Sequence, residues 1–423
     1  MFRAKSGQVS NPDSYIMRAN NRLAATMSPK PLRLKKHEDR RLHSGHTWVF
    51  SNEVDIKATP LDAFAPGETC IIEEASGRAI GSGYVNPATL ISARLVSRDP
   101  AMLLDQSLIT HRLNIALSLR ERLFDKPYYR LVFGDSDGLP GLVVDRFADV
   151  LVAQITTAGM ERLKAEIIAA LEKVMKPRAI LLRNDSSMRA MENLPSYIET
   201  ARGDIPEWLP LQENGLHFEA PLTRGQKTGW FYDHRMNRAR LAHYVKGKRV
   251  LDLFSYLGAW GVHAAAAGAE SVLCVDSSAL ALEGVARNAR LNNVEARLQG
   301  RQADIFDFLK ELRAAREHYD VVILDPPALI KRRKDIKEGT GAYQRLNQMA
   351  MQVLSKDGIL VSCSCSYHLE RDTLRELLLK NSRHLDRYLQ IVEEGHQGPD
   401  HPMHPAIPET AYLKALFARV LPN

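Results

Sequence analysis

Two cysteines near the end of the chain, one residue apart, are the first residues that suggest chemistry. The chain has four cysteines in 423 residues, and VSCSCSYHLE at 361–370 contains Cys363 and Cys365. Alternate side chains of a strand share a face, so both thiols point the same way while the strand stays regular. Cys363 lies deeper and is expected to be a core thiol. Cys365 lies nearer the strand end and is the candidate nucleophile.

A carboxylate ends another apolar run. VVILDPP places Asp325 directly before Pro326 and Pro327. In an open α/β sheet the ligand crevice lies beyond the carboxyl ends of the strands, so Asp325 is expected to face a substrate. The two prolines stiffen the turn that holds this carboxylate.

The segment RVLDLFSYLGAWGVHAAAAGAESVLCVDSS, residues 249–278, reads as strand, glycine turn, helix and strand. Gly258 and Gly261 lie in the turn, where a ligand can approach the backbone and the start of a helix. Asp276 ends the second strand, where a carboxylate can accept hydrogen bonds from ribose hydroxyls. A third strand is predicted to end near Asp304.

Two cofactor classes use such a turn. A nicotinamide dinucleotide needs G-x-G-x-x-G, but residues 255–261 contain only the last two glycines. Asp252 lies inside the first strand, where it would repel a pyrophosphate. S-adenosylmethionine carries an ammonium and a sulfonium, which a carboxylate attracts. The pattern therefore favours S-adenosylmethionine, and the remaining alternative is that the glycines only make a tight turn.

A thiol beside such a cofactor suggests methylation of cytosine at C5. Because C5 is a poor nucleophile, a thiolate that adds to C6 is needed to activate it, and the pKa of that thiol is expected to be lowered. Asp325 would hydrogen-bond the N3/N4 edge of a base that has left its stack. Enzymes that methylate adenine amino groups commonly carry an aromatic residue after Asp-Pro-Pro, whereas Ala328 stands there.

The elements that position these residues alternate strand and helix from about residue 207 onward, which predicts a mostly parallel sheet of an α/β fold. Residues 29–100 are short β-rich runs that suit a small barrel, and residues 101–206 form a second α/β unit. Residues 1–28 are polar and without periodicity, so a flexible extension is expected there.

Composition limits the class of protein. The net charge is +7 and the pI is near 9.1, which mildly favours an anionic partner such as nucleic acid. No stretch approaches the roughly 18 apolar residues of a membrane span, and the start lacks an apolar leader. The four cysteines lack zinc-site spacing, so no metal is predicted and a cytoplasmic, reducing location is expected.

The chain resembles the RlmI-like family of bacterial 23S ribosomal RNA cytosine-C5 methyltransferases. The resemblance covers about residues 30–421 and includes HSGHTWVFSNEV, FGDSDGLPGLVVDRF, QKTGWFYDHRMNR, the glycine turn, LDPP, SCS around Cys365, DHP at 400–402, and AYLKALFARVL. It implies an RNA-binding PUA domain at 29–100, a central RNA-binding domain at 101–206 and a Rossmann-like methyltransferase domain with a seven-stranded sheet at 207–423. It also implies S-adenosylmethionine as cofactor and 23S ribosomal RNA as substrate.

By the family's pattern, Cys365 and Asp325 are the catalytic residues. The cofactor-binding residues that the turn and the resemblance suggest are Asp252, Phe254, Ser255, Gly258, Gly261, Asp276, Ser277, Asp304, Asp325 and Pro326. Lys227, Tyr232 and Arg235 of QKTGWFYDHRMNR are assigned to the same site, with helix capping or packing as the alternative.

Two basic runs fit contact with RNA phosphates. The residues concerned are Lys35, Lys36, Arg40 and Arg41 near the start, and Lys331, Arg332, Arg333 and Lys334 after the Asp-Pro-Pro turn. Two other functions stay open: methylation of a purine nitrogen with Cys365 structural, and a non-catalytic assembly factor that binds ribosomal RNA. A homodimer is a further expectation.

Overall fold

A computed structural model describes residues 28–423. The predicted extension, residues 1–28, lies outside the described residues except for its last position. The first unit is a five-stranded sheet in the order β1-β3-β4-β5-β2, in which β1 and β3 are parallel and the other neighbours antiparallel. Its elements are β1 (Lys30–Arg33), α1 (Arg40–His43), β2 (Trp48–Phe50), β3 (Glu68–Glu73), β4 (Ala79–Val85) and β5 (Ile91–Ser97).

The second unit is a five-stranded sheet in the order β10-β9-β8-β7-β6, and only β8 and β9 are parallel. Its helices are α2 (Gln106–Leu123), α3 (Ala158–Arg162), α4 (Lys164–Met175) and α5 (Met188–Met191). Its strands are β6 (Tyr128–Phe133), β7 (Leu142–Phe147), β8 (Val150–Ile155), β9 (Ala179–Asn184) and β10 (Tyr197–Arg202). Leu163 separates α3 from α4.

A hairpin of β11 (Leu209–Glu213) and β12 (Leu216–Ala220) leads into a seven-stranded sheet. The helices of this unit are α6 (Arg235–Leu241), α7 (Ala259–Ala266), α8 (Ala279–Leu291), α9 (Ile305–Ala315), α10 (Ile336–Gln352) and α11 (Arg371–His384). The strands are β13 (Arg249–Leu253), β14 (Ser271–Asp276), β15 (Leu298–Gln302), β16 (Tyr319–Leu324), β17 (Leu354–Ser364), β18 (Arg387–Gly395) and β19 (Lys414–Pro422).

The strand order is β15-β14-β13-β16-β17-β19-β18, and within this sheet only β19 runs against the others. This confirms the predicted mostly parallel, seven-stranded sheet. The chain reverses direction across the sheet between β13 and β16, and a crevice opens at such a point beyond the strand ends.

Alternate residues of the central strands enter two different cores, one on each face of the sheet. Val250, Ile323 and Val361 belong to one cluster, whereas Leu251 and Leu324 belong to the other. Strands buried on both faces explain the uninterrupted apolar runs in the sequence.

The three units are joined by buried side chains that reach across their boundaries. The Tyr84 hydroxyl of the first unit donates to the carbonyl of Pro140 at 2.8 Å. Arg120 of the second unit donates to the carbonyl of Asp400 at 2.7 Å. Among the helices of residues 28–423, none combines the length and apolar character that crossing a membrane requires.

Candidate active site

The turn between β13 and α7 adopts a strained backbone. Phe254, Tyr256 and Gly258 all have positive φ, at 62°, 48° and 76°. Left-handed φ values are costly for the two aromatic residues, and such strain concentrates at ligand sites. Gly261 is required because a Cβ there would lie 2.3 Å from the sulfur of Cys274.

Asp252 lies under this turn and is fully buried. Its Oδ2 accepts hydrogen bonds from the Gly261 amide at 3.0 Å and the Cys274 thiol at 3.6 Å. Its Oδ1 has no partner, and the buried Ser255 hydroxyl also has none. Burial, followed by the negative charge of Asp325, raises the pKa of Asp252 to about 8. Two unpartnered polar atoms under one turn require a ligand with hydrogen-bonding groups, and an ammonium fits beside a carboxylate.

Asp276 is the last residue of β14, and Asp304 lies two residues beyond the neighbouring β15, as the sequence predicted. Asp276 accepts from the Tyr256 and Ser278 amides, both at 2.9 Å, so it ties the turn between β13 and α7 to the start of α8. Asp304 is exposed and caps α9 through the Phe306 amide at 2.9 Å. Ser277 is exposed beside Asp276. Each carboxylate has accepting capacity left for a ligand.

Asp325 stands directly after β16 and is held by two ring nitrogens. Trp260 Nε1 donates to its Oδ2 at 3.0 Å, and Nε2 of His234 lies 3.3 Å from its Oδ1. Burial alone would raise the pKa of Asp325, but His234 and Trp260 hold that pKa below its ordinary value. The group is therefore an ionised hydrogen-bond acceptor at neutral pH.

Cys365 is the first residue beyond β17, and its partly exposed thiol lies 4.0 Å from the carbonyl oxygen of Pro326. Cys363 is buried within the strand. Its sulfur nevertheless lies within 4.8 Å of a ring nitrogen of His234 and a carboxylate oxygen of Asp325. Cys363 is therefore a buried thiol that lies close to the crevice.

The expectation of a lowered thiol pKa at Cys365 is wrong for the protein by itself. Burial raises the pKa of this thiol to about 11, and the positive charge of Lys227 opposes that rise. The negative charges of Asp325 and Asp233 add to it. Burial dominates because the thiol is partly enclosed at the strand end, which sequence periodicity does not reveal.

The side chains of the segment before α6 lie in two different places, some near the site and others at the boundary with the second unit. Lys227 is exposed, has a positive φ of 48° and places its Nζ 4.6 Å from the centre of the Phe231 ring. Tyr232 instead donates its hydroxyl to the carbonyl of Arg146 at 3.0 Å, and Arg235 donates to the carbonyl of Tyr128. The side chains of Tyr232 and Arg235 therefore pack against the second unit, which is the alternative that the sequence left open for them.

Three residues near Asp325 and Cys365 were missed in the sequence. His234, Trp260 and Lys414 carry no signal in a single sequence, because each acts through a partner distant in the chain. Lys414, the first residue of β19, is buried and donates to the carbonyl of Ser366 at 2.6 Å. Burial lowers the pKa of Lys414 to about 8.

The predicted phosphate-binding residues differ in availability. Arg41 is held by both carboxylate oxygens of Glu53, at 2.7 and 2.9 Å, so its guanidinium is already engaged. Lys35, whose Nζ donates to the carbonyl of Asn52 at 2.7 Å, and Lys36 and Arg40 are exposed.

The run Lys331–Lys334 is exposed throughout. Arg332 pairs with Asp335 at 3.2 Å. Arg333 lines a cavity of about 800 Å³ together with Tyr367, His368, Arg371 and Lys414. The basic run therefore reaches a large cavity lined by residues that closely follow Cys365.

Comparisons with known proteins agree with this geometry. A family model described as S-adenosylmethionine-dependent methyltransferase matches residues 187–419, and a PUA-like domain model matches residues 32–98. The chain is 35% identical over 395 residues to ribosomal RNA large subunit methyltransferase I of Shewanella denitrificans, covering 92% of this chain and 99% of that one. It is 33% identical to the protein of that name from Escherichia coli SMS-3-5, covering 92% and 98%.

Solved structures show the same fold. A suspected methyltransferase complexed with SAH superposes with a TM-score of 0.80 at 20% identity, covering 92% of this chain and 100% of that one. A suspected SAM-dependent methyltransferase from Streptococcus mutans gives 0.78 at 20% identity, with the same coverage.

Proposed function

Because the chain belongs to the S-adenosylmethionine-dependent methyltransferase family, and within it to the ribosomal RNA large subunit methyltransferase I group, we propose that it methylates C5 of a cytosine in 23S ribosomal RNA. One observation carries this proposal: a thiol just past β17 lies beside the turn of an ionised carboxylate, at the edge where the cofactor turn also opens. Cytosine-C5 chemistry needs a nucleophile and an acceptor together.

Asp252, Ser255 and the amides of the turn would hold S-adenosylmethionine, with Asp276 and Asp304 toward its nucleoside. When bound, the cofactor supplies an electrophilic methyl group. Its positive charge also opposes the burial that raises the pKa of Cys365 and Asp252.

The protein's own steps begin at Cys365. The thiol releases its proton to solvent, the thiolate sulfur forms a bond to C6 of a flipped cytosine, and the electrons of the C5–C6 double bond make C5 nucleophilic. Asp325 accepts from the N4 amino group and orients the ring. Once C5 carries its methyl group, a base takes the C5 proton, the C6–S bond breaks and the thiolate returns.

The RNA is proposed to extend along the basic run that ends at the large cavity. Lys331, Arg333 and Lys334 supply phosphate contacts there, and Lys36 and Arg40 supply them on the PUA-like unit. Residues 101–206, which link these two surfaces, are proposed to bind RNA as well. A cytoplasmic location and a homodimer remain predictions of the sequence.

A trapping experiment tests the proposal. The protein is incubated with S-adenosylmethionine and a ribosomal RNA fragment that contains 5-fluorocytidine, and any covalent peptide adduct is mapped by mass spectrometry. Fluorine cannot leave as a proton does, so the adduct is expected on Cys365 and absent in Cys365→Ser. An adduct on Cys363 would keep the chemistry and move the nucleophile. A methylated purine, or no reaction on a fragment that binds, would reject cytosine-C5 methylation.

A further inference from the structure

The position of Asp325 depends on two side chains that lie behind it, His234 and Asn237. His234 is buried in front of α6 and packs beside Trp260, with ring centres 5.3 Å apart. Nδ1 of His234 lies 3.2 Å from the Nδ2 of Asn237, and its Nε2 lies 3.3 Å from Asp325. Asn237 therefore contacts the imidazole on the side opposite the carboxylate.

The orientation of the Asn237 amide is fixed by its other contacts. Its Nδ2 donates to the carbonyl of His396 at 3.1 Å, and its Oδ1 accepts from Arg240 at 3.3 Å. A reversed amide would place oxygen against a carbonyl oxygen and an amino group against a guanidinium. Gly395 supports the placement, because a Cβ there would lie 2.0 Å from Asn237 Oδ1.

The fixed amide determines the tautomer of His234. Since Asn237 presents N–H to Nδ1, Nδ1 must be the unprotonated acceptor nitrogen, and the ring proton resides on Nε2. That proton lies on the side of Asp325.

We propose that Asn237 and His234 are positioning residues that keep Asp325 an ionised, oriented acceptor and thereby make the site choose cytosine over uracil. The inference rests on the proposed function, because it names what selects the base at that site. Oδ2 of Asp325 accepts from Trp260, and Oδ1 lies 3.3 Å from Nε2 of His234, so the lone pairs that remain can only accept.

An acceptor discriminates between the two pyrimidines. Cytosine presents its N4 amino group as a donor, whereas uracil presents O4, a second acceptor that a carboxylate repels. If the proton moved to Nδ1 of His234, the lone pair of Nε2 would face Asp325. The carboxylate would then rotate or take up a proton, and the preference for an amino group would weaken.

The first test uses Asn237→Asp, which replaces the donor by an acceptor of the same shape and forces a proton onto Nδ1 of His234. We expect kcat for a cytosine-containing fragment to fall about 10- to 100-fold, the range for loss of a partner that orients a functional side chain. Discrimination against the matched uracil fragment should fall about tenfold or more, the worth of one base-edge contact. Calorimetric affinity for S-adenosylmethionine should stay within about twofold of wild type.

A second pair of variants keeps the test valid if Asn237→Asp folds poorly. His234→Gln retains an N–H that can reach Asp325, whereas His234→Leu removes it. The glutamine variant is expected to recover most of the discrimination that the leucine variant loses. Asn381→Asp is the matched control, since Asn381 is equally buried on α11 and bonds only to the carbonyl of Gln344 at 2.9 Å.

Nitrogen-15 NMR of histidine-labelled protein reads the tautomer without RNA, with His234 assigned by its disappearance in His234→Gln. An unprotonated Nδ1 supports the proposal that Asn237 and His234 position Asp325, and a protonated Nδ1 overturns that proposal. Wild-type kcat and discrimination in His234→Leu would also overturn it. A purine product, by contrast, would reject the proposed function while the tautomer result still stood by itself.

Discussion

At the scale of single residues, the crevice holds a buried aspartate, Asp252, and a half-buried one, Asp325, whose pKa values move in opposite directions. Burial and the nearby Asp325 raise the pKa of Asp252 to about 8. Burial is outweighed at Asp325 by His234 and Trp260, which lower its pKa. When their surroundings move the pKa values of two carboxyl groups apart, the two groups can take different chemical roles. Asp252 is set to respond to a cation, and Asp325 to remain an acceptor.

Binding of S-adenosylmethionine should therefore release protons from the protein. Below pH 8 the free protein holds a proton on Asp252, and a cationic ligand favours the ionised form. The affinity should then rise with pH between about 6 and 7.5, by at most tenfold per pH unit. Calorimetry in buffers of different ionisation enthalpy counts the protons, and Asp252→Asn should release none. Equal proton release from both proteins would contradict this assignment.

Lys227 is expected to control the reactivity of Cys365. Its ammonium lowers the pKa of the Cys365 thiol against the effect of burial, so Lys227→Gln should raise that pKa and slow alkylation by iodoacetamide at neutral pH. The exposed ammonium is screened by solvent, and we expect a decrease of about two- to tenfold. Lys248→Gln, at a lysine before β13, is the control, and an unchanged pH midpoint of alkylation would refute the role.

At the scale of elements, the strand–turn–helix of β13 and α7 depends on one close contact, between the backbone of Gly261 and the side chain of Cys274. The Gly261 backbone sits against Cys274 of β14, and its amide also bonds Asp252. A side chain at this position must push the helix away from the sheet, which opens the turn that shapes the cofactor site.

Gly261→Ala is expected to lower the free energy of unfolding by about 1–3 kcal/mol, the usual cost of overpacking, and to weaken cofactor binding. Adding Cys274→Ala removes the sulfur 2.3 Å from the new Cβ and should restore part of both. Gly341→Ala in α10 is the control, because a Cβ there meets nothing within 4 Å and should stabilise the helix by about 0.5–1 kcal/mol. Chemical denaturation measures all three, and no recovery in the double variant would contradict the clash.

Element order and the strand-end residues could be predicted from the sequence, because a buried parallel strand is a local apolar pattern that ends at the crevice. Asp325 and Cys365 directly follow their strands, and Asp276 ends its own. The directions of Tyr232 and Arg235 could not be predicted, since their partners lie 86 and 107 residues away. His234 between them was missed for the same reason.

At the scale of the whole molecule, basic side chains on two units face a common substrate in the proposed function. Some of these basic side chains are available to a ligand, whereas others are engaged by carboxylates of the protein. Arg333 lines the cavity, whereas Arg41 is bound by Glu53. Only the free residues are expected to release counterions when RNA binds.

Arg332→Ala/Arg333→Ala should weaken RNA binding and reduce the slope of log affinity against log salt by about 1 to 2. Arg333→Ala alone should account for most of the change, because Arg332 already pairs with Asp335. Arg419→Ala is the control, since Arg419 is a partly exposed residue paired with Asp357 at 2.8 Å. Filter-binding titrations at several salt concentrations give the slopes, and an unchanged slope in the double variant would exclude this loop from the RNA contact.

Three hydrogen bonds between units share one chemical feature with a consequence for sequence divergence. Tyr84, Arg120 and Tyr232 each donate across a boundary to a backbone carbonyl. Every residue type supplies a backbone carbonyl, so the accepting residue can be substituted without loss of the hydrogen bond, provided that the donor residue is kept. At these three contacts the accepting residue can therefore change between lineages without altering how the units are mounted on one another.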